Sequence, residues 1–211
     1  MNRLHKSYEL QNKIQFISEE DDFTVDRYCQ FYMKFPVKAR KVLDMGCNTG
    51  RGGEALKKID NSLEIVGLDC VQERLDRLPE AYSEKIYGLS TDIPIDDQTV
   101  DVVVAGEFLE HLYPSDVDKT LCEIQRVLTI GGRLLLTTPN PHYLKNKLCN
   151  YTIYGPSHLT QHVPKILLFR MKMHGFSNVK TFGSGRVSRY IGRYFPVLSI
   201  YGSYMVCADK Y

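Results

Sequence analysis

Two carboxylates and an imidazole stand close together in the segment Glu107-Phe108-Leu109-Glu110-His111. Residues three and four positions apart share one face of a helix, so Glu107, Glu110 and His111 are predicted to converge. The pKa of an unperturbed imidazole is near neutrality, which suits a general base that takes a proton from a hydroxyl group. Two carboxylates with an imidazole also suit a divalent ion such as Mg²⁺ or Mn²⁺. A third interpretation stays open, in which these side chains only cap or pack.

An apolar run that ends in an acid precedes a glycine-rich turn. Val42-Leu43-Asp44-Met45 is followed by Gly46 and Gly50, with Asn48 between them, and then by a helix-like segment. Glycine is needed where the backbone curves sharply or approaches a ligand closely. A nicotinamide dinucleotide site is disfavoured, because the spacing G-x-G-x-x-G is absent.

This turn resembles the first motif of the class I S-adenosylmethionine (SAM) methyltransferases, which has the form acidic-x-Gly-x-Gly-x-Gly. Asn48 stands in the place of the middle glycine. The resemblance extends over about residues 38–140 and implies that Asp44 and the loop backbone hold the amino acid end of SAM. The residues that it implies for cofactor binding are Asp44, Gly46, Asn48, Gly50, Asp69, Cys70, Asp92, Ile93 and Glu107.

Two further acids match positions of the same family. The strand predicted at residues 63–69 ends in Asp69, about 20 residues after the loop, where a carboxylate accepts ribose hydroxyl protons. In the family, an acid after the third strand lies near the adenine, and Asp92 with Ile93 match that place. An amphipathic helix at 116–128, the pair Gly131-Gly132 and a strand at 133–140 resemble the family's fourth helix, turn and fifth strand.

Alternating strands and helices predict the fold. The pattern indicates an α/β, Rossmann-like, doubly wound sheet of seven mostly parallel strands with helices on both faces. The resemblance implies an antiparallel hairpin at one sheet edge, formed by strands at 176–182 and 203–207. A further helix is predicted at 164–174, ending at Gly175.

The chain is predicted to form one SAM-binding domain with an N-terminal extension. The predicted parts are an N-terminal helical cap at 1–37, the methyltransferase domain at 38–211, a substrate loop at 139–162 and a basic insertion at 183–199. The insertion carries Arg186, Arg189 and Arg193, whose near-helical spacing suits either a clamp for phosphate or carboxylate or a solvated helix surface.

The composition is that of an ordinary globular protein. Of 211 residues, 43% are hydrophobic and 25% are charged. No apolar run approaches the roughly 20 residues of a membrane span, and residues 1–7 lack the apolar stretch of a signal peptide. The six cysteines are scattered without a C-x-x-C pair, which indicates reduced thiols. These features predict a cytoplasmic protein.

Charge divides the chain into two unlike parts. Residues 1–123 hold 24 acids and 15 basic residues, and residues 124–211 hold one acid and twelve basic residues, so their net charges are −9 and +11. Such asymmetry suggests an anionic partner for the basic part. An anionic substrate and the inner face of a membrane are the predicted partners. Nucleic acid is less favoured, because no RNA-binding module is recognisable. The sequence leaves the oligomeric state open.

The family places the substrate above strands four and five. Glu107 and His111 are therefore the first catalytic candidates, and His142, which follows Pro139-Asn140-Pro141, is a second candidate base. The segment Glu107-x-x-Glu110-His111 with a later His158 or His162 resembles the metal-binding set of small-RNA 3′-terminal methyltransferases. Related segments occur in ubiquinone-pathway O-methyltransferases.

These resemblances predict a SAM-dependent O-methyltransferase that acts on a hydroxyl group of a small molecule or glycan. The first candidate acceptor is an anionic cell-surface sugar, in polysaccharide biosynthesis. The alternatives are an O-methyltransferase of a lipid-linked quinone precursor and a metal-dependent RNA 2′-O-methyltransferase. A binding or scaffold protein that kept the fold without catalysis is a further alternative, although Asp44, Gly46, Gly50 and Asp69 all stand in their expected places.

Overall fold

A single seven-stranded sheet forms the centre of the computed structural model, which describes residues 3–13 and 23–211. The strands are β1 (Lys41–Met45), β2 (Glu64–Asp69), β3 (Glu84–Tyr87), β4 (Val100–Gly106), β5 (Leu128–Pro139), β6 (Phe176–Ser184) and β7 (Ser203–Lys210). Their order across the sheet is β3-β2-β1-β4-β5-β7-β6. Strand β7 is antiparallel to both neighbours, and the other six are parallel to one another. The predicted Rossmann-like sheet with an antiparallel edge pair is confirmed.

Helices cover both faces of this sheet. They are α1 (Arg3–Lys13), α2 (Phe23–Tyr32), α3 (Arg51–Ile59), α4 (Gln72–Leu75), α5 (Val117–Val127), α6 (Leu144–Leu148), α7 (Pro164–Met173) and α8 (Ser188–Ile191), with 3₁₀ turns at Leu109–His111 and Leu198–Ile200. Helices α5 and α7 correspond to the predicted helices at 116–128 and 164–174. Helix α7 begins with Pro164 and is followed by Gly175 in the left-handed region, which fits the usual residues at both ends.

Alternating strand residues divide the buried side chains into two cores. Leu43, Met45 and Val103 point to the face covered by α1, α5 and α7, where Leu121 and Met171 pack. The opposite face is covered by α2 and α3. Its buried residues include Val42, Ile65, Val102, Val104, Phe31 and Leu56. Strands β1, β2 and β4 are therefore buried on both faces, which explains their nearly continuous apolar sequences.

The described helices of the predicted N-terminal cap lie on opposite faces of the sheet. Tyr8 of α1 belongs to the core beneath α5, whereas Tyr28 and Phe31 of α2 belong to the other core. The remaining positions of the predicted cap before helix α2, residues 1–2 and 14–22, lie outside the described residues. Both described helices are thus integrated into the domain core.

Two segments differ in detail from the sequence pattern. Strand β3 lies at Glu84–Tyr87, at the sheet edge, where the exposed side chains of Glu84 and Lys85 conceal the strand in the sequence. The predicted substrate loop contains the short helix α6, and the predicted insertion begins with the end of β6 and contains α8. In the described parts of the chain, no helix has the length and apolarity needed to cross a membrane.

Candidate active site

A cavity of about 300 Å³ opens at the carboxyl ends of β1, β2 and β4. Parallel α/β sheets bind ligands at this edge, where the strand order reverses. Its wall includes Met45 and Gly46 after β1, Asp69 at the end of β2 and Glu107 after β4. Helices α1 and α2 close the cavity from above with Tyr8, Asn12, Thr24, Arg27 and Tyr28.

The glycine turn takes the backbone conformations that its sequence suggests. Gly46, Asn48 and Gly50 have φ values of 70°, 51° and 81°, all in the left-handed region. Asparagine tolerates this region better than most residues, which explains how Asn48 replaces a glycine. A Cβ atom on Gly50 would lie 2.4 Å from Pro79 Cδ, so this position has no room for a side chain. Gly46 and Asn48 line the cavity, whereas Gly50 precedes the first turn of α3.

Asp44 lies behind the residues that line the cavity. Its carboxylate is fully buried and accepts hydrogen bonds of 2.5 Å from the hydroxyl groups of Tyr28 and Tyr82. Burial raises the pKa of Asp44 to about 6, although both hydroxyl donors oppose the shift. Tyr28 itself forms part of the wall. The predicted contact of Asp44 with the amino acid end of SAM stays a prediction, and in the structure the carboxylate is bonded to two tyrosines.

Asp69 holds the turn from the neighbouring strand and also lines the cavity. Its Oδ2 atom accepts a hydrogen bond of 3.0 Å from the amide of Asn48, and its Oδ1 accepts one from Val71. Arg74 lies 3.9 Å from the carboxylate. Burial raises the pKa of Asp69, and Arg74 opposes this shift. Cys70, the next residue, also lines the cavity, and burial raises the pKa of its thiol to about 12.

Asp92 and Ile93 do not line this cavity. The side chain of Asp92 is exposed, and that of Ile93 is buried in the core, while its amide donates to Glu123. Leu89 and Ser90 occupy the cavity wall instead. The chain forms a narrow bridge between Leu89 and Asp92, which turns the predicted adenine contacts away from the cavity.

Glu107 stands apart from the other two members of the predicted acidic segment. It follows β4 with a left-handed φ of 52° instead of starting a helix. Its Oε1 atom lies 3.8 Å from Arg27, and its Oε2 accepts a 3.4 Å hydrogen bond from Ser203. Glu107 lines the cavity together with His111, but it does not share a helix face with Glu110 and His111, because its own left-handed φ keeps it outside the 3₁₀ turn that carries them.

Glu110, His111 and His158 instead converge behind the wall formed by His111. One potential ligand atom of each lies within 4.8 Å of the others. Glu110 is fully buried and accepts a hydrogen bond from Thr138, and burial together with Glu107 raises its pKa well above the usual range. Burial lowers the pKa of His111, which lines the cavity. Of the four metal ligands suggested by the sequence, three lie together and Glu107 does not.

Residues 157–160 are fastened directly to this cluster. The Nδ1 atom of His111 lies 2.7 Å from the carbonyl oxygen of Ser157. The carbonyl of Glu110 accepts hydrogen bonds from the amides of Leu159 and Thr160, and the Thr160 hydroxyl donates to the carbonyl of Leu109. The carboxyl-terminal part of the predicted substrate loop is thus joined to the 3₁₀ turn that carries His111.

The remaining histidine candidates take other positions. His142 is exposed and lies outside the described cavity walls, with its amide bonded to Asn140 Oδ1. His162 is buried against Thr160 and does not join the cluster of Glu110, His111 and His158. Sequence reasoning missed Arg27 and Tyr28, which α2 brings to the cavity. Their only sequence signal was the helical spacing of aromatic residues in this segment.

Comparison with known proteins supplies independent information. Residues 43–136 match the protein family described as "Methyltransferase domain". An uncharacterized methyltransferase of Mycobacterium tuberculosis is 35% identical over 101 residues, which cover 47% of this chain and 40% of that protein. A fatty-acid O-methyltransferase of Mycolicibacterium smegmatis is 29% identical over 134 residues, 60% of this chain and 48% of that protein. The chain spans less than half the length of these curated relatives.

The fold is also similar to solved structures. A SAM-dependent methyltransferase from Archaeoglobus fulgidus superposes with a TM-score of 0.70, at 23% identity, over 90% of this chain and 94% of that chain. At this level of identity the structural likeness supports the fold alone. The matched family region, residues 43–136, contains the glycine turn, Asp69, Glu107, Glu110 and His111.

Proposed function

We propose that the chain is a class I SAM-dependent methyltransferase and that it transfers the methyl group of SAM to an oxygen atom of a small anionic acceptor. The cavity at the ends of β1, β2 and β4 carries this proposal. Asp69 lies in its wall, and so do Glu107 and His111. A cofactor-binding residue and candidate catalytic groups therefore share one enclosed space.

The polar atoms of the cavity fit the chemistry of SAM. Asn48 Oδ1 and Glu107 Oε1 are buried acceptors that have no hydrogen-bond partner among the described residues. An ammonium group and ribose hydroxyl groups, which SAM carries, are donors that would satisfy such acceptors. Asp69 would accept ribose hydroxyl protons, as the sequence resemblance implies. Tyr28 and Asp44 would act at a distance, by holding α2 and β1 together.

We assign to His111 the role of taking the proton of the acceptor hydroxyl. When bound, SAM supplies a sulfonium methyl group that passes to the acceptor oxygen and leaves S-adenosylhomocysteine (SAH). Because the carbonyl of Ser157 can only accept, Nδ1 of His111 carries its proton, and Nε2 has the lone pair. Burial lowers the pKa of His111, so the imidazole is neutral near pH 7 and able to take the proton of an acceptor hydroxyl.

The acceptor candidates keep the order given by the sequence. An anionic glycan or sugar comes first, a lipid-linked quinone precursor second and RNA third. The fatty-acid O-methyltransferase among the relatives supports transfer to oxygen. It also makes a carboxylate oxygen a further candidate acceptor. A cytoplasmic location and contact with a membrane surface remain predictions.

A divalent ion at Glu110, His111 and His158 is a second way to activate an acceptor hydroxyl. The donor set fits such an ion, since one potential ligand atom of each of these three residues lies within 4.8 Å of the others. Glu110 Oε1 is buried without a hydrogen-bond partner among the described residues. Two imidazoles with one carboxylate favour Mn²⁺ over Mg²⁺. The ion would act as a Lewis acid toward the hydroxyl.

Calorimetry with SAH, with and without EDTA, tests the cofactor assignment. We expect micromolar binding to the full chain, and a folded protein that binds no SAH would contradict the proposal. Labelled SAM with glucuronate, fatty acids and RNA then tests methyl transfer, with product mass as the readout. His111→Gln is expected to lower turnover of hydroxyl acceptors at least about a hundredfold, while SAH affinity stays within about twofold.

Two controls separate the base from the ion. His142→Ala is the matched histidine control, because this side chain is exposed and lies outside the described cavities. We expect its turnover to equal that of the wild type. His158→Gln removes a metal ligand without removing the base. Activity that survives EDTA and this substitution would exclude the ion, and loss of activity that Mn²⁺ restores in the EDTA-treated wild type would support it.

A further inference from the structure

A second cavity, of about 600 Å³, adjoins the first. Helix α2 contributes to both, because Thr24 and Arg27 line each of them. The other walls come from α6 and from the loops on either side of α8. The wall residues that matter here are Phe23, Tyr143, Lys145, Arg186, Val187 and Ser203. The cavity therefore lies between helix α2 and the basic carboxyl-terminal part of the chain.

The junction between the cavities is formed by Arg27, Glu107 and Ser203. Glu107 lines the first cavity and accepts a 3.4 Å hydrogen bond from Ser203, which lines the second. Arg27 lies 3.8 Å from Glu107 and faces both cavities. The two cavities therefore meet at these side chains. The second cavity thus has the position expected for an acceptor.

The charge of the second cavity is positive. Arg27, Lys145 and Arg186 line it, and Asp26 is the one acid among the described wall residues. Asp26 forms an ion pair with Arg189, which removes most of its effect on the cavity. Within residues 3–13 and 23–211, Arg186 and Lys145 form no ion pair with a carboxylate. Two cations are therefore available to an anionic group.

Arg186 is also held at the wall. Its guanidinium lies 5.5 Å from the ring centroid of Phe23, a distance suitable for a cation–π contact. Gly185, just before it, has a φ of 86°, so the backbone turns sharply at this wall. Apolar surface from Phe23, Tyr143 and Val187 surrounds the cations. This combination suits a molecule with an apolar or ring-shaped body and an anionic end.

We propose that the second cavity is the acceptor subsite and that Arg186 and Lys145 bind an anionic group, a carboxylate or a phosphate, of the acceptor. The reactive oxygen then reaches the cofactor cavity past Arg27 and Glu107. This inference rests on the proposed methyl transfer for its meaning, but anion binding is measurable without it. It makes Arg186 and Lys145 specificity-determining residues.

Isothermal calorimetry on the full chain tests the subsite, with hexanoate and hexyl phosphate as anionic probes and hexanol as the uncharged control. We expect at least one anion to bind about tenfold more tightly than hexanol, because hydrogen bonds to charged groups are stronger than neutral ones. The stronger anion identifies carboxylate or phosphate as the preferred group. Equal binding of all three probes would overturn the proposal.

Matched variants locate the binding. Arg186→Gln and Lys145→Gln are each expected to weaken the preferred anion about tenfold, with unchanged SAH affinity. Lys147→Gln is the control, because Lys147 lies on the same short helix, is exposed and does not line the cavity. An equal loss of anion affinity in the Lys147 and Lys145 variants would mean that the anion senses only the general positive charge of this surface. That result would contradict the subsite. Each anion titration is run with and without SAH, and SAH binding is measured by itself. A failure to bind SAH would then overturn the methyltransferase proposal separately from the subsite.

Discussion

The two cavities are held in different ways. Strand ends and left-handed turns form the wall of the first cavity, and Asp69 and Tyr28 in that wall are buried and hydrogen-bonded. The short helices α6 and α8 and their loops form much of the acceptor-side cavity, and its cations Lys145 and Arg186 are exposed. One cavity is built by backbone geometry and the other by side chains at the surface.

This difference teaches which changes each cavity tolerates. A substitution in the cofactor cavity disturbs packed backbone and buried hydrogen bonds, so it affects folding and cofactor affinity together. A substitution among exposed loop residues changes affinity for the acceptor and leaves the sheet intact. The four predictions that follow run from the most rigid part of the molecule to its surface.

Gly50→Ala is expected to have the largest effect. The left-handed φ of 81° costs about 1–2 kcal/mol with a side chain, and the new Cβ would lie 2.4 Å from Pro79. We expect the free energy of unfolding to fall by more than about 3 kcal/mol in total, as measured by urea denaturation. Gly155→Ala is the control, since among the described residues no atom outside its chain neighbours lies within 4 Å of its Cβ position. Equal stability of both variants would show that the turn is adaptable.

Asp44 makes stability depend on pH. The pKa of Asp44 is about 6 in the folded protein, compared with 3.8 for a carboxyl group without these interactions. The folded state therefore binds the proton more tightly than the unfolded state. The contribution of Asp44 to stability is present below about pH 4 and is lost as the pH rises to about 6, a change of about 3 kcal/mol. Tyr28, Tyr82 and Asp69 face this group. Between pH 4 and 7, the free energy of unfolding should fall more steeply with pH in the wild type than in Asp44→Asn. Parallel curves would refute the raised pKa of Asp44.

Asp69→Asn is expected to weaken SAH binding about thirtyfold, or about 2 kcal/mol, because it removes a buried charged acceptor from the cofactor wall. Asp92→Asn is the matched substitution, and its SAH affinity should equal that of the wild type. Calorimetry of both variants decides between the sequence resemblance and the structure at position 92. A loss of affinity in Asp92→Asn would place the adenine near Asp92 after all.

Asp118→Asn is expected to have the smallest effect. Asp118 of α5 forms ion pairs with Arg170 of α7 and with His174, the residue after that helix. These partners lower the pKa of Asp118 to about 2. Its side chain is 53% exposed, and exposed ion pairs contribute about 0–1 kcal/mol. Thermal unfolding at pH 7 should show a loss below about 1 kcal/mol. A larger loss would indicate that α7 depends on this pair for its position.

Much of the cofactor side was predictable from the sequence, because its signals are local. The signals are an apolar strand, a glycine turn and an acid at the end of the next strand. They are close in the chain, so each one restricts where the others can lie. Gly46, Asn48, Asp69 and Cys70 therefore line the cavity as the sequence suggested. The antiparallel edge pair was also predictable, because the family resemblance specifies it.

The contacts that the sequence did not predict join residues that are distant in the sequence. Asp44 is bonded to Tyr28 and Tyr82, which lie 16 and 38 residues away, and no local pattern announces these partners. Glu107 was assigned to a helix because its spacing to Glu110 is helical, yet Glu107 itself has a left-handed φ of 52° and precedes the 3₁₀ turn. The acceptor side was predictable only as positive charge, because loop geometry decides which cations face a cavity.

The hydrogen bonds at Glu110 make two backbone amides into reporters of the active site. The amides of Leu159 and Thr160 both donate to the carbonyl of Glu110, the residue before His111. Their exchange with solvent deuterium requires the loop to detach from the turn that carries the imidazole. Slow exchange at these two positions therefore reports how seldom the loop detaches from the turn that carries His111. Ligands that steady His111 will slow that exchange before any product is formed.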